Sequence, residues 1–201
     1  MNILLVYETS EGHTARVAEV LRGRLAALGH TVALRRAREA TPEDLAAAGM
    51  VVLGSPIHMG RHAGRLLAYA KAHRDDLAVR PSACFTVCLC ARGLRPQDAQ
   101  EVARYEQAFV EAAGWTPDRV RTFAGALPYR RMGFLKRAIL ARIQAEAGGE
   151  TDTSADHEFT DWDAVADFAR DLDELARGLR PRGSEAGLSP AWPSGGDPGA
   201  R

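Results

Sequence analysis

Short apolar runs alternate with longer stretches of helical periodicity along most of the chain. Strands are predicted over 3–7, 32–34, 50–54, 83–89 and 120–124. Helices are predicted between them over 15–28, from Pro42 onward, over 63–73 and over 97–113. Parallel strands joined by right-handed helical crossovers bury both faces of their sheet. The pattern therefore predicts an α/β fold, a doubly wound five-stranded parallel sheet with strand order 2-1-3-4-5.

The second half departs from this alternation after the fifth strand. A regular unit would pass directly into the last helix, whereas residues 128–147 intervene and predict a basic, amphipathic insertion. The last helix is expected to begin near Trp162, capped by Thr160 with Asp163 three residues on. Pro, Gly and Ser dominate from Gly178 onward. We expect one domain over 1–177 and a disordered tail over 178–201.

Charge is balanced in total but uneven along the chain. The 201 residues contain 26 basic and 26 acidic side chains, a balance that gives no reason to expect nucleic-acid binding. Residues 128–147 are strongly basic, whereas residues 150–174 hold ten acids and only Arg170 as a base. The two neighbouring segments are therefore opposite in charge.

The positions of the cysteines and histidines predict neither a disulfide bond nor a metal site. Cys84, Cys88 and Cys90 lie in one apolar run, and residues two apart on a strand lack disulfide geometry. Reduced thiols in a cytoplasmic protein are expected. His58 and His62 lack a third ligand in a metal-site pattern, so no metal is predicted. No apolar run reaches the roughly 18 residues of a membrane span, so any membrane contact is expected to be peripheral.

The loop after the first strand carries the clearest binding signal. Hydroxyls, a glycine and a helix start follow one another there, a combination that suits a phosphate. The loop lacks the lysine of a P-loop and the glycine triplet of a dinucleotide site, which disfavours a nucleoside triphosphate or NAD. Alternatively, its hydroxyls only cap the helix. The predicted phosphate-binding residues are Thr9, Ser10, Glu11, Gly12, His13 and Thr14.

The spacing Thr9-x-x-Gly12-x-Thr14 resembles the phosphate loop of flavodoxin-like FMN proteins. Those proteins hold the flavin ring between the loops that follow the third and fourth strands, at the carboxyl edge of the sheet. The alternative for each loop is an ordinary turn. By this resemblance the expected ring contacts are Ser55, Pro56, Ile57, His58, Met59 and Gly60, with Cys90, Ala91, Arg92 and Gly93.

Motifs of the second half narrow the resemblance. Phe123-Ala-Gly-Ala-Leu127, the insertion, Gly148-Gly-Glu-Thr-Asp-Thr-Ser154 and Thr160-Asp-Trp162 occur in that order. This series resembles the bacterial quinone-linked protoporphyrinogen dehydrogenases, and the resemblance covers about residues 2–175. It implies an FMN enzyme of haem synthesis with a porphyrinogen substrate and a quinone (menaquinone-like) acceptor. His58-Met59-Gly60 departs from the family, which more usually has basic and aromatic residues before the glycine.

The insertion offers two interpretations. Its apolar stripe, Met132, Leu135, Ile139 and Ile143, could face a membrane or pack on the domain. Positive side chains beside it would meet substrate propionates or the inner face of the cell membrane. These predicted contacts are Arg130, Arg131, Lys136 and Arg137, with Asp152 and Thr153 placed near the flavin. No acid or base residue is predicted. An FMN electron carrier and an NAD(P)H:quinone reductase remain as alternatives.

Overall fold

Five parallel strands form the centre of the protein, seen here in a computed structural model that describes residues 1–131, 133–146 and 148–178. The parallel strands are β1 (Asn2–Tyr7), β2 (Thr31–Arg36), β3 (Met50–His58), β5 (Ser82–Val87) and β6 (Arg119–Phe123). Their order is β2-β1-β3-β5-β6, and a two-residue strand, β4 (Arg61–His62), pairs antiparallel with the end of β3. Counting parallel strands alone, the predicted order 2-1-3-4-5 is confirmed.

Seven helices accompany these strands in the described part of the chain. They are α1 (His13–Ala27), α2 (Pro42–Ala47), α3 (Gly64–Ala72), α4 (Arg74–Ala78), α5 (Asp98–Ala113), α6 (Phe134–Glu146) and α7 (Trp162–Ala176). Alternate residues of β1 enter two separate apolar layers, because side chains of a strand point to opposite faces. Leu5 packs with α1 and α7, whereas Leu4 packs with the helices of the other face. The sheet is therefore covered on both sides, as the sequence predicted.

The third strand runs farther than its apolar residues suggested. Its expected end was Gly54, but pairing with β5 continues to Pro56, and a turn at Met59 and Gly60 folds it back onto β4. Both turn residues have positive φ, 50° for Met59 and 74° for Gly60, which is unusual for a methionine. The hairpin projects one rim of the carboxyl edge beyond the rest of the sheet.

The segment 124–160 lies outside the sheet. It contains a short antiparallel pair of strands, β7 (Ala126–Leu127) and β8 (His157–Glu158). The helix α6 lies between these two strands in the chain. Tyr129 is fully buried, and its hydroxyl donates a hydrogen bond of 3.0 Å to the Glu150 carbonyl. Glu158 forms an ion pair with Arg16 of α1, so this acidic residue joins the segment to the core.

One local prediction, the residue that caps the last helix, was wrong. The cap of α7 is Asp161, whose carboxylate accepts hydrogen bonds of 2.9 and 3.0 Å from the backbone N–H groups of Asp163 and Ala164. Thr160 instead donates its hydroxyl to the Ala124 carbonyl at 2.7 Å. The predicted helix over 63–73 is confirmed as α3, which is followed at once by the short, separate helix α4. Of the predicted disordered tail, residues 179–201 lie outside the described residues.

The prediction of three free thiols was also wrong. Cys88 and Cys90 are joined by a disulfide, and their Cα atoms lie 5.4 Å apart. The strand argument failed because β5 ends at Val87, and the chain then enters a 3-10 turn over Leu89–Arg92. The turn draws the two side chains together, whereas a continuing strand would hold them parallel. Cys84, which does lie on β5, is a free and buried thiol.

Candidate functional site

A cavity of about 620 Å³ opens at the carboxyl edge of the sheet, where doubly wound folds place their ligands. Four parts of the chain surround it: the loop after β1, the end of β3, the end of β5 and the segment after β6. The lining residues are Thr9, Ser10, Glu11, His13, Thr14, Pro56, Ile57, His58, Met59, Val87, Leu89, Gly125, Ala126, Leu127, Pro128, Ile139 and Leu140.

The polar end of the cavity is the loop before α1. Gly12 is the N-cap residue, with φ at 91°, and it provides no side-chain cap hydrogen bond to the helix. Thr9 accepts a hydrogen bond of 2.9 Å from the Gly12 N–H, which holds the loop closed, and Thr14 is buried at the cavity wall. The missing side-chain cap at Gly12 speaks against the alternative that the hydroxyls of this loop only cap the helix. Uncapped N–H groups at a helix start suit a phosphate.

His13 is part of this loop and is held from the far side of the cavity. Its Nε2 lies 2.5 Å from the Thr160 hydroxyl, which itself donates to the Ala124 carbonyl. The imidazole must therefore be the donor to Thr160. Burial lowers the pKa of His13, against an opposing effect of the Glu158 carboxylate and with a lesser contribution from Arg16. The His13 ring thus joins α1 to the segment after β6.

The end of β3 supplies an ordered wall and an exposed rim. Ser55 is fully buried and accepts a hydrogen bond of 3.2 Å from the Ala63 N–H, and its hydroxyl lies 3.3 Å from His62 Nδ1. His62 donates in turn to the Tyr105 carbonyl at 2.8 Å. Ser55 thus fixes the loop and is absent from the lining, whereas Pro56 to Met59 face the cavity. Met59 is 89% exposed at the rim.

The chain at the end of β5 contacts the cavity a few residues before the predicted positions. Val87 and Leu89 line it, whereas the predicted contacts 90–93 are absent from the lining. Cys90 is in the disulfide, and the Arg92 guanidinium lies over the Phe159 ring at 3.4 Å and donates to Gln144 at 3.2 Å. Arg92 therefore ties this loop to α6 and to the residue after β8, rather than facing the cavity.

The segment after β6 closes the remaining side, which sequence reasoning largely missed. Residues 125–128 form one wall, and the Val87 side chain packs closely on Gly125, where an added Cβ would lie 3.2 Å from it. Ile139 and Leu140 of α6 complete the wall. Of the predicted apolar stripe, Ile139 therefore faces the cavity while remaining 53% exposed. Met132 lies outside the described residues, as do the side chains of Leu135 and Ile143.

Four of the remaining predicted contacts, Asp152, Thr153, Arg130 and Arg137, are absent from the cavity lining. Asp152 accepts hydrogen bonds from the Ser154 N–H and hydroxyl, at 2.8 and 2.6 Å, which lower the pKa of its carboxyl group. Its neighbour Thr153 is half-buried. Arg130 is exposed and Arg137 is half-buried, while the side chains of Arg131 and Lys136 lie outside the described set. The structure therefore brings most of the first two predicted loops to the cavity, without Gly12, Ser55 and Gly60, and none of these four later residues.

Comparison with known proteins bears directly on this arrangement. The sequence pattern of the flavodoxin domain matches residues 4–154. A protoporphyrinogen IX dehydrogenase (quinone) of Escherichia coli K12 is 31% identical, over 87% of this chain and 96% of its own. One from Leishmania major is 33% identical over 89% of this chain and 78% of its own.

The chain belongs to the protoporphyrinogen IX dehydrogenase (quinone) family, within the flavodoxin-domain proteins. It is accordingly an oxidoreductase. Solved structures agree with the fold: a short-chain flavodoxin associated with a bacterial microcompartment has a TM-score of 0.53 at 16% identity, covering 88% of this chain and 99% of its own. Flavodoxin 1 of Bacillus cereus has a TM-score of 0.52 at 11% identity, covering 87% and 98%.

FMN is the cofactor of this family's flavodoxin domain, and the cavity fits it. A phosphate would meet the uncapped N–H groups of α1 and the Thr14 hydroxyl, while a flat ring would meet the apolar walls from β3, β5 and the segment after β6. Within residues 1–131, 133–146 and 148–178, no helix has the length and apolar character needed to cross a bilayer.

Proposed function

We propose that this protein is an FMN-dependent protoporphyrinogen IX dehydrogenase that passes electrons from the porphyrinogen to a quinone in haem biosynthesis. The observation that carries the proposal is the match along nearly the whole E. coli enzyme, a protein whose name states this reaction. The match includes the segment after β6, because it spans 87% of the present chain.

The residues of the chain divide the work of holding the cofactor. We assign the phosphate to residues 9–14, where the first-turn N–H groups of α1 and the hydroxyls of Ser10 and Thr14 can donate to it. Pro56 to Met59 and Val87 to Leu89 would orient the ring, and bound FMN would supply the two-electron oxidant. Val87 and Leu89 thus take the place of residues 90–93, which the sequence predicted as ring contacts.

The segment after β6 provides the features that a porphyrinogen needs. Its apolar side chains Leu127, Ile139 and Leu140 face the cavity, and they would exclude water from the reacting ring carbon. Arg130 lies near this segment's start, and Arg137 lies on α6 three residues before Leu140, a spacing that puts the two on the same side of the helix. Guanidinium groups pair well with carboxylates, so we assign the substrate propionates to this basic side. We place the quinone at the same open mouth.

The test follows porphyrin fluorescence from protoporphyrinogen under anaerobic conditions, with and without a menaquinone analogue, using FMN-loaded protein. Quinone-dependent fluorescence is expected. An FMN-bound protein without turnover would support an electron carrier instead, and rapid bleaching of its flavin by NAD(P)H would support a general quinone reductase. A protein that takes up no FMN would contradict the whole assignment.

Two matched pairs of variants test the binding assignments separately. Thr14→Val should weaken FMN binding by about tenfold or more, since a lost hydrogen bond to a charged group costs about 1.5–3 kcal/mol. Thr31→Val, exposed on β2, should leave it unchanged. Arg137→Gln should raise the KM for porphyrinogen by about tenfold for the same reason. Arg142→Gln is the control, because Arg142 is 83% exposed and pairs with Glu146 on the same helix.

A further inference from the structure

The disulfide between Cys88 and Cys90 lies at the wall of the flavin cavity. Val87 and Leu89, which alternate with the two cysteines, both line the cavity. The bridge therefore spans a residue that contacts the ligand space. The third cysteine of the chain, Cys84, is a buried free thiol whose pKa is raised by burial, with a smaller contribution from Glu106. Cys84 is thus a poorly reactive thiol with which the reactivity of Cys88 and Cys90 can be compared.

Stabilisation of the fold does not account for this disulfide. A disulfide stabilises a fold chiefly by closing a loop in the unfolded chain, and the effect grows with loop length. Here the linked residues are only two positions apart, so the loop closed is among the shortest possible. The turn is already fixed by backbone hydrogen bonds, since the Cys88 N–H donates to the Phe123 carbonyl at 3.0 Å and the Ala91 N–H donates to the Cys88 carbonyl at 3.2 Å.

The surroundings of the bridge favour electron exchange through the cavity. Cys88 is 6% exposed and Cys90 is 8% exposed, so a reductant in bulk solvent meets little of either side chain. A group bound in the cavity, by contrast, lies against the residues on either side of Cys88. The Cys90 N–H also donates to Cys88 Sγ at 3.3 Å. Such a hydrogen bond stabilises negative charge on that sulfur when the bridge opens.

We propose that Cys88 and Cys90 are a redox-active pair that accepts the electron pair of reduced flavin held in the adjoining cavity. In this step the S–S bond breaks and the two sulfurs become thiols. The two electrons and two protons come from the reduced flavin, which returns to its oxidised form. A second reduction of the flavin then leaves the protein holding two electron pairs, one on the cofactor and one on the cysteines. The proposal rests on flavin binding and not on which substrate reduces the flavin, so absence of porphyrinogen turnover does not affect it.

The experiment counts electrons and thiols in the same sample. FMN-loaded, air-oxidised protein is titrated anaerobically with dithionite while the flavin absorbance is followed, and the denatured product is then alkylated and weighed by mass spectrometry. Full bleaching should consume two electron pairs per flavin, and alkylated cysteines should rise from one to three. FMN-free protein given the same reductant for the same time should keep a single alkylated cysteine.

Two variants separate the pair from the remaining thiol. Cys88→Ser/Cys90→Ser should bleach with one electron pair, whereas Cys84→Ala should still need two and end with two alkylated cysteines. Bleaching of the native protein by a single pair, with the bridge intact, would overturn the proposal. So would equal reduction of the FMN-free protein, or failure of the chain to bind FMN. Because the thiol count is made on the native chain, the result stands even where the double variant fails to fold.

Discussion

The sheet with its flanking helices and the segment 124–160 bury their apolar residues very differently. In the sheet and helices, Leu5 and Phe168 are almost completely buried, as are their neighbours in the same layer. In the segment, Phe134 is 79% exposed and Ile139 is 53% exposed, although both are large apolar residues. The first region thus uses its apolar side chains for stability, whereas the second buries Leu127 and Tyr129 but leaves Phe134 and Ile139 at the surface, Ile139 at the cavity wall.

This difference separates folding from ligand binding. The polar end of the cavity, residues 9–14, begins a helix of the core, while the apolar wall of Leu127, Ile139 and Leu140 belongs to the segment. The segment is joined to the core by a few directed contacts, among them the ion pair from Glu158 to Arg16 and the stacking of Arg92 on Phe159. Substitutions in the core should therefore change stability first, and substitutions in the segment should change ligand binding first.

The largest expected contrast is between two phenylalanines. Phe168→Ala on α7 should lower the free energy of unfolding by about 3–5 kcal/mol, because Phe168 is 1% exposed and its ring lies 5.8 Å from that of Phe123. Phe134→Ala should change it by less than about 0.5 kcal/mol, since the side chain is mostly in solvent. Urea unfolding of both variants measures the difference. Equal losses would mean that Phe134 contributes to the stability of the fold as much as a core residue does.

A smaller contrast comes from two glycines. Gly54 lies on β3 directly beside Phe85 of β5, and a Cβ at position 54 would overlap the Phe85 ring. Gly54→Ala should therefore cost about 1–3 kcal/mol of stability through overpacking. Gly133→Ala, just before α6, has open space around it and should cost little. Thermal unfolding of the two variants makes the measurement, and a tolerated Gly54→Ala would show that Phe85 can move aside.

The core was predictable from sequence because burial on both faces leaves a continuous apolar run. Met50 to Leu53 is such a run, and it is buried as expected. The strand's continuation through Ser55 to His58 was not predictable, because those residues lack that pattern and their pairing depends on β4 and β5. The hydrogen bonds of that extension come from β5, which is distant in sequence, and from the turn back onto β4.

Residues of the candidate site were likewise predictable where the signal is local in sequence. The loop 9–14 was found because its hydroxyls, glycine and helix start are consecutive in the chain. Ile139 and Leu140 were not assigned to the cavity, because helical periodicity reveals an apolar face but not what that face meets. The Asp161 cap and the Cys88–Cys90 bridge were missed because each depends on where an element ends by a residue or two.

A change of pH tests the hydrogen-bonded wall behind β3. Burial lowers the pKa of His62 from 6.5, against the opposing effect of its hydrogen bond to the Tyr105 carbonyl. The unfolded chain therefore takes up a proton first as the pH falls, so this residue's contribution to stability is present above about 6.5 and is lost below it. His62→Gln should flatten the decline of stability below that pH. His58→Gln, exposed on the rim, should follow the native curve; identical slopes for all three proteins would exclude this origin.

The smallest effect is expected on α1, where two glycines should respond with opposite sign. Gly23 is an exposed position inside the helix with open space around it, so Gly23→Ala should raise stability by about 0.5–1 kcal/mol. Gly29 follows the same helix with φ at 91°, a conformation that costs an L-residue about 1–2 kcal/mol, so Gly29→Ala should lower stability. Denaturant midpoints measured side by side give the signs. If Gly23→Ala also lowered stability, α1 would not respond as a regular core helix, and the uncapped helix start assigned to the FMN phosphate would have to be reconsidered with it.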